Sequence, residues 1–224
     1  MELSRIEYKF LITTDEYIKL RFQLEQTLAL DEYSNQESRA YSITSVYFDD
    51  LLDSHMFQKS DGLEFHQKYR IRQYANGVKR LEFKTKVGNL TSKQSFWLTD
   101  ELEQAILTQD FDQLYLHKEE ELIENLIVRM KCDYLQPTLV IDYEREAYVF
   151  PSGNIRITFD KSLRARRVDQ DPQMMRLLFE PKYMMLEVKY TGLLPTFLKT
   201  LLFTKNFQQV AYSKYYAAWL QLIA

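Results

Sequence analysis

The chain has a single cysteine, Cys132, among its 224 residues. An intrachain disulfide is excluded, and a reducing, cytoplasmic setting fits. Its neighbours Lys131 and Asp133 build no catalytic environment, so a packing role is expected for the thiol. Histidine is scarce. His55, His66 and His117 stand at no metal-ligand spacing, which argues against a histidine metal site or a Ser-His-Asp triad. Glycine and proline number five each, too few for long flexible linkers, and there is no internal repeat. No run approaches the ~20 apolar residues of a membrane span. The opening Met1-Glu2-Leu3-Ser4-Arg5 lacks a signal pattern. Positive charge is not in excess either. The net charge is −3, which argues against a general nucleic-acid or anionic-membrane binder. Hydrophobic residues make up 46% of the chain, enough for one sizeable core, and residues 1–224 read as one domain.

What is present is charge on every second residue of strand-like segments. Arg5-Ile6-Glu7-Tyr8-Lys9-Phe10, Lys68-Tyr69-Arg70-Ile71-Arg72, Leu81-Glu82-Phe83-Lys84-Thr85-Lys86 and Leu186-Glu187-Val188-Lys189-Tyr190 all follow this rule. Residues i, i+2 and i+4 of a strand share a face, so each segment has one face of Lys, Arg and Glu and one of aromatic and branched residues.

Between these segments the punctuation is clear. Thr13-Thr14-Asp15-Glu16 is a capping box that should open a helix running to about Leu30, with Tyr17, Leu20, Leu24 and Leu28 inward. Residues 41–49 read as a strand and 49–59 as an irregular or helical link. Residues 64–74, 78–87 and 91–98 read as a meander turned by Asn76-Gly77 and Gly88-Asn89. Helix is expected over 99–108 and most of 111–133, with Glu119-Glu120-Glu121 as a solvated face. Strands follow over 138–150, 155–160 and 184–190, an irregular basic stretch over 164–178, and apolar helices over 194–203 and 213–223. This is an α+β pattern of about eight mostly antiparallel strands and about five helices, enough strands to close a barrel.

The apolar faces at Ile6, Tyr8 and Phe10, at Tyr69 and Ile71, at Leu81 and Phe83, at Ile155, Ile157 and Phe159, and at Leu186 and Val188 must be buried. If they lie under the helices, the charged faces point into a lumen. A cationic lumen is costly to desolvate and makes sense around water and a polyanion. Arg binds phosphate oxygens bidentately and Lys as a point charge. Interleaved Glu7, Glu82 and Glu187 lower the repulsion and are hard ligands suited to Mg2+ or Mn2+. The plainer reading is a half-exposed sheet face with cross-strand ion pairs, and for one strand it is the better one. Lys68, Lys86 and Lys189 can be read as solvent-facing, Arg164, Arg166 and Arg167 as a surface loop or, Arg164 foremost, as a feed to the mouth of the lumen, and Asp160 as the orienter of an Arg. His66 has no partner that would make it a base.

Arg5-Ile6-Glu7-Tyr8-Lys9-Phe10 resembles the N-terminal Glu-x-Lys strand of the triphosphate tunnel metalloenzymes. The order that follows resembles one branch of that CYTH-like superfamily, the VTC domain of polyphosphate polymerases: residues 41–49, Lys68-x-Arg70-x-Arg72, Glu82-Phe83-Lys84-Thr85-Lys86, Lys93, residues 143–148, Arg156 to Asp160, Leu186 to Lys189 and Ser213-Lys214-Tyr215. The likeness runs from about residue 4 to 217.

The resemblance implies a closed antiparallel eight-stranded β-barrel, a tunnel with a charged lumen flanked by helices. It implies transfer of the γ-phosphoryl of ATP or another nucleoside triphosphate to a growing inorganic polyphosphate chain, with Mn2+ or Mg2+ as cofactor. Carried over by motif, Lys9, Lys68, Arg70, Arg72, Lys84, Lys93, Arg145, Arg156, Lys189, Ser213 and Lys214 would hold phosphates. Glu187 would hold the metal, with Glu7 and Glu82 as further candidates. Lys214 would act at a helix start capped by Ser213, where the dipole also favours an anion. Superfamily triphosphatases carry a fuller Glu-x-Glu-x-Lys; here Arg5 replaces the first Glu, which weakens the case for metal-assisted hydrolysis. An inorganic triphosphatase or nucleotide hydrolase is one alternative, and a non-catalytic polyphosphate or nucleotide sensor is the other. Larger members carry a phosphate-sensing domain and membrane segments; coupling to translocation here would need a membrane or other protein partner.

Overall fold

The computed structural model describes residues 5–60, 64–88, 90–203 and 207–223. The opening Met1 to Ser4 and the Asn89 half of one expected turn lie outside them. In chain order the elements are β1 (Arg5–Thr13), α1 (Thr14–Glu25), β2 (Ala29–Leu30), β3 (Ala40–Asp49), α2 (Ser54–Ser60), β4 (Phe65–Tyr74), β5 (Lys79–Val87) and β6 (Leu90–Leu98). There follow α3 (Asp100–Thr108), α4 (Phe111–Tyr115), α5 (Glu121–Cys132), β7 (Gln136–Phe150), β8 (Ile155–Arg167), β9 (Arg176–Leu177), β10 (Tyr183–Thr191), α6 (Thr196–Phe203), β11 (Gln208–Gln209) and α7 (Lys214–Leu222). The strand path runs β11-β1-β10-β8-β7-β3-β4-β5-β6, with β2 on β7 and β9 on β8. Among the described residues no ladder joins β6 to β11, so the strands form an antiparallel sheet with two ends rather than the expected closed ring of eight. One edge is the two-residue β11 (Gln208–Gln209).

The chain divides into two compact units, one of residues 1–42, 142–164 and 177–213, the other of 43–141, 165–176 and 214–224. In the first, β1 pairs with β10 along its whole length, from Arg5 opposite Thr191 to Thr13 opposite Tyr183. β10 pairs in turn with β8, placing Glu187 opposite Thr158 and Lys189 opposite Arg156. Period-two alternation sends Phe10, Ile157, Phe159, Leu186 and Val188 to one face, where they pack with Tyr17, Leu20 and Leu24 of α1 and Leu198 and Leu202 of α6. Leu20 and Leu24 are fully buried, so truncating either to Ala would cost about 2–5 kcal/mol. The capping box forms as expected. Glu16 N–H donates to Thr13 Oγ1 at 3.3 Å, and Thr13 N–H donates to Glu16 Oε2 at 2.7 Å. The helix is shorter than the spacing predicts, because Ala29 and Leu30 pair instead with Val149 and Tyr148 of β7.

In the second unit β4, β5 and β6 form the expected meander. Its first turn closes through Gly77 at φ 81°, a backbone that favours glycine, with Asn76 Oδ1 accepting from Val78 N–H. Tyr69, Ile71 and Leu81 pack under α3, α4 and α5 through Leu102, Ile106, Leu114, Ile123 and Leu126. Three local expectations change. Residues 111–133 are two helices, and the acidic run is the exposed turn between them, passing into the first turn of α5 where carboxylates suit the helix dipole. The basic stretch expected to be irregular begins as strand, because β8 continues to Arg167. Cys132, expected to pack, is exposed at the end of α5.

Candidate phosphate-binding site

In the first unit the register puts Glu7 opposite Lys189 and Lys9 opposite Glu187. The four charges alternate at the corners of a square, and every neighbouring pair is in contact. Lys9 Nζ lies 3.1 Å from Glu7 Oε1 and 3.8 Å from Glu187 Oε1. Lys189 Nζ lies 2.6 Å from Glu187 Oε2 and 3.9 Å from Glu7 Oε2. Lys9 Nζ also donates to the Tyr212 carbonyl at 3.0 Å. Burial pushes the Lys189 ammonium down to about 8; Glu187 and Glu7 oppose that shift, and Arg145 adds to it.

Arg145 on β7 forks onto Asp160 of β8, with Nε and Nη2 at 2.7 and 2.8 Å from the two carboxylate oxygens. Asp160 thus orients an arginine, as read from the sequence. Arg145 Nη2 lies 4.0 Å from Glu187 Oε2, so Glu187 meets three cations while only 7% of its side chain is exposed. Arg156 is held at Nη2 by the Tyr41 hydroxyl at 2.9 Å and by Asp31 Oδ2 at 2.8 Å.

In the second unit the charged faces of β3 to β6 line up in rows. One row holds Tyr47, Arg70, Glu82 and Ser95, the next Lys68, Lys84 and Lys93. Glu82, 1% exposed, is the hub. Its Oε2 accepts from Arg70 Nε at 2.7 Å with Nη2 at 2.6 Å, its Oε1 accepts from Lys93, and Arg72 Nη1 lies at 3.8 Å. Burial alone would raise the Glu82 pKa, but Arg70, Arg72 and Lys93 outweigh it and hold the carboxyl at about 2. Arg70 Nη1 also donates to the Tyr47 hydroxyl at 3.0 Å. Burial pushes the Tyr47 phenol up, yet Arg70, Arg72 and Lys214 bring it down to about 8. Lys214 is the first residue of α7, and Ser213 immediately precedes it. The next residue, Tyr215, stacks on Tyr47 with ring centroids 5.4 Å apart, and Lys68 Nζ lies 5.9 Å from the Tyr215 ring centre.

Among the described residues no three His, Cys, Asp or Glu side chains gather as a preformed metal cage. Mg2+ and Mn2+ do not require one, since they commonly take one or two carboxylates and fill the remaining positions with water and phosphate. Glu187 and Glu7, which share both Lys9 and Lys189, fit that donor set. Both oxygens of Glu82 are committed to cations.

Of the remaining basic residues, Arg166 spends Nη1 on the carbonyls of Arg167, Val168 and Gln170, and Arg167 pairs with Asp169. Arg164 and Lys86 are exposed. Sequence reasoning missed a further buried carboxylate, Glu146, on the apolar side of the first unit. It accepts from Tyr17 and Tyr148 hydroxyls at 2.6 Å each and from Lys161 Nζ at 2.7 Å. It also missed the tyrosines that hold arginines, Tyr41 and Tyr47. Their signal was available: they lie six residues apart on β3, an even spacing that puts both on one face.

A VTC domain family model matches residues 4–223 of the sequence. The chain belongs to that family. Among solved structures it is similar to HpAC1 from Hippeastrum, classed as a candidate adenylyl cyclase and described as having a dominant triphosphatase activity. The TM-score is 0.59 at 14% identity, over 100% of this chain and 98% of that one. It is also similar to a candidate adenylate cyclase from Bacillus halodurans, with a TM-score of 0.52 at 14% identity over 94% and 96% of the two chains. At these identities the likeness is one of fold. A search of curated proteins gave no match.

Proposed function

We propose that this protein is a polyphosphate polymerase that transfers the γ-phosphoryl of a nucleoside triphosphate, ATP in the first instance, to a growing inorganic polyphosphate chain. The observation that carries the reading is Glu187, a buried carboxylate ringed by Lys9, Lys189 and Arg145, in a chain that belongs to the VTC family. Phosphoryl transfer asks mainly for positioning and for neutralisation of charge on the transferring oxygens. Lys9, Lys189, Arg145 and Arg156 supply this in one unit, and Lys68, Arg70, Arg72, Lys84, Lys93 and Lys214 in the other. Arg145 and Arg156 are held in fixed orientation by Asp160 and by Asp31 with Tyr41, so the guanidinium N–H groups not used by these partners need little reorganisation to meet phosphate. Glu82 acts as a positioning residue for Arg70 and Lys93. A Mg2+ or Mn2+ held by Glu187 and Glu7 would neutralise phosphate charge and polarise the transferring phosphoryl. The nucleophile is the terminal oxygen of the phosphate chain.

Arg5, at the start of β1 opposite Thr191, stands where the fuller hydrolase motif has its first Glu, and this favours synthesis over hydrolysis. A triphosphatase is the second reading, favoured by the activity described for HpAC1. Incubation of the purified chain with ATP and Mn2+ separates the two. Long-chain polyphosphate supports the polymerase, free phosphate without chains supports the hydrolase, and binding without turnover leaves a sensor.

A further inference from the structure

We infer that Arg80, braced on the indole of Trp97, is an anion-binding residue, and that with Arg72 it forms a subsite for one further phosphate group of a condensed phosphate. The inference deepens the polymerase reading and rests on it.

Parity places the residues. On β5, Leu81 and Phe83 turn to the core, so Arg80 shares the opposite face with Glu82 and Lys84. The register sets Arg72 opposite Arg80 and Arg80 opposite Trp97. This row contains Ser45, Arg72, Arg80 and Trp97 and no carboxylate. Like charges directly across a ladder are destabilising. Here the repulsion is barely relieved: Arg72 reaches Glu82 only at 3.8 Å, and Arg80 enters no salt bridge among the described residues. The Nε groups of both arginines are buried without an acceptor. Two arginines paired across the ladder in a row without a carboxylate are what a phosphate group can neutralise.

Trp97 explains how Arg80 is held. The guanidinium carbon lies 3.5 Å from the indole centroid, a cation–π contact that fixes the fork without neutralising it. Trp97 is 58% exposed, so it is not a core residue. The Arg72–Arg80 row is two residues, or ~7 Å along each strand, from the Arg70–Glu82 row. A phosphate chain bound at Arg70 can therefore continue onto it. A phosphate supplies counter-charge to the Arg72–Arg80 row, whereas a nucleobase stacked on Trp97 supplies none.

The test is titration calorimetry of the full chain with inorganic tripolyphosphate and with ATP, both without metal. Arg80→Gln is expected to weaken tripolyphosphate about tenfold, and Arg80→Lys by less, since the charge stays but the fork is lost. Trp97→Leu should weaken it too, and the double variant should bind no worse than Arg80→Gln, because Trp97 acts through Arg80. In a Trp219→Phe background Trp97 is the one remaining tryptophan, and its emission should shift as tripolyphosphate binds to the Arg80 guanidinium stacked on the indole. Wild-type affinity in Arg80→Gln and Trp97→Leu, alongside weakened binding in Arg70→Gln, overturns the subsite and leaves the polymerase reading standing. A loss confined to ATP overturns it as well and makes Trp97 a base platform. A wild-type protein that does not bind tripolyphosphate overturns both.

Discussion

Tyr215 donates its hydroxyl to Asp49 Oδ2 at 2.6 Å, tying the first turn of α7 to the end of β3. Asp49 is fully buried and also accepts backbone N–H groups from Asp50, His55 and Met56, so one carboxylate fastens both the start of α2 and the start of α7. Lys214 is the neighbour of Tyr215 in the first turn of α7. Tyr215→Phe keeps the ring and its stack on Tyr47 but removes the donor. It should lower stability by about 2 kcal/mol, read by urea denaturation. Hydrogen exchange should rise in α7 while the β4–β5 amides keep their protection.

Glu82 should govern the acid limb of stability. Its ordinary pKa near 4.5 falls to about 2 in the folded chain, where Arg70, Arg72 and Lys93 overcome the cost of burial. A depressed carboxyl stabilises the fold above its unfolded pKa, and the contribution is lost as pH falls through the folded value. The window is therefore from about pH 4.5 down to about 2, and the size on the order of 3 kcal/mol. Glu82→Gln should flatten that slope and lower stability at neutral pH, because it leaves Arg70 and Lys93 short of their counter-charge. A variant whose urea midpoint tracks the wild type from pH 5 to pH 2 would remove Glu82 as the hub.

The strand faces were legible because a two-residue period admits only two assignments, and a core of Phe10, Leu186 and Val188 chooses between them. The capping box at Thr13 was legible because it is local chemistry. Long-range pairing was not. Whether β11 and β6 meet depends on partners far apart in sequence, and nothing in either segment states it. Glu146 and Lys161 were missed for a different reason. They lie on the apolar side, where the pattern predicts hydrophobics, and they are tolerated only because Tyr17 and Tyr148 complete a bonded network. A tyrosine in a strand is expected to pack, as the Tyr47 ring does on Tyr215; its hydroxyl, bonded to Arg70, carries the information that residue type alone does not.

Tyr47 should titrate apart from the other tyrosines. The cations Arg70, Arg72 and Lys214 outweigh its burial and bring its pKa from 10.0 to about 8. Tyrosinate absorbance should show one phenol ionising near pH 8, absent in Tyr47→Phe. On the polymerase reading, tripolyphosphate would draw Arg70 and Lys214 toward its own charge, and the Tyr47 transition should move to higher pH. A transition that stays in place at saturating tripolyphosphate would mean these cations do not meet the ligand.

Glu187 separates binding from turnover. Its carboxylate occupies Lys9 and Lys189, so the cations proposed to hold phosphate are partly neutralised. Glu187→Gln removes that competitor together with the proposed metal ligand. Without metal, the variant should bind tripolyphosphate at least as tightly as the wild type, and up to about tenfold more tightly if one charge-assisted contact is transferred from carboxylate to phosphate. With ATP and Mn2+, it should form neither polyphosphate nor free phosphate. Calorimetry without metal reads the first effect and product analysis the second. Full turnover in Glu187→Gln would sink the metal assignment, whereas weakened metal-free binding would show that the carboxylate positions the two lysines rather than competing for them.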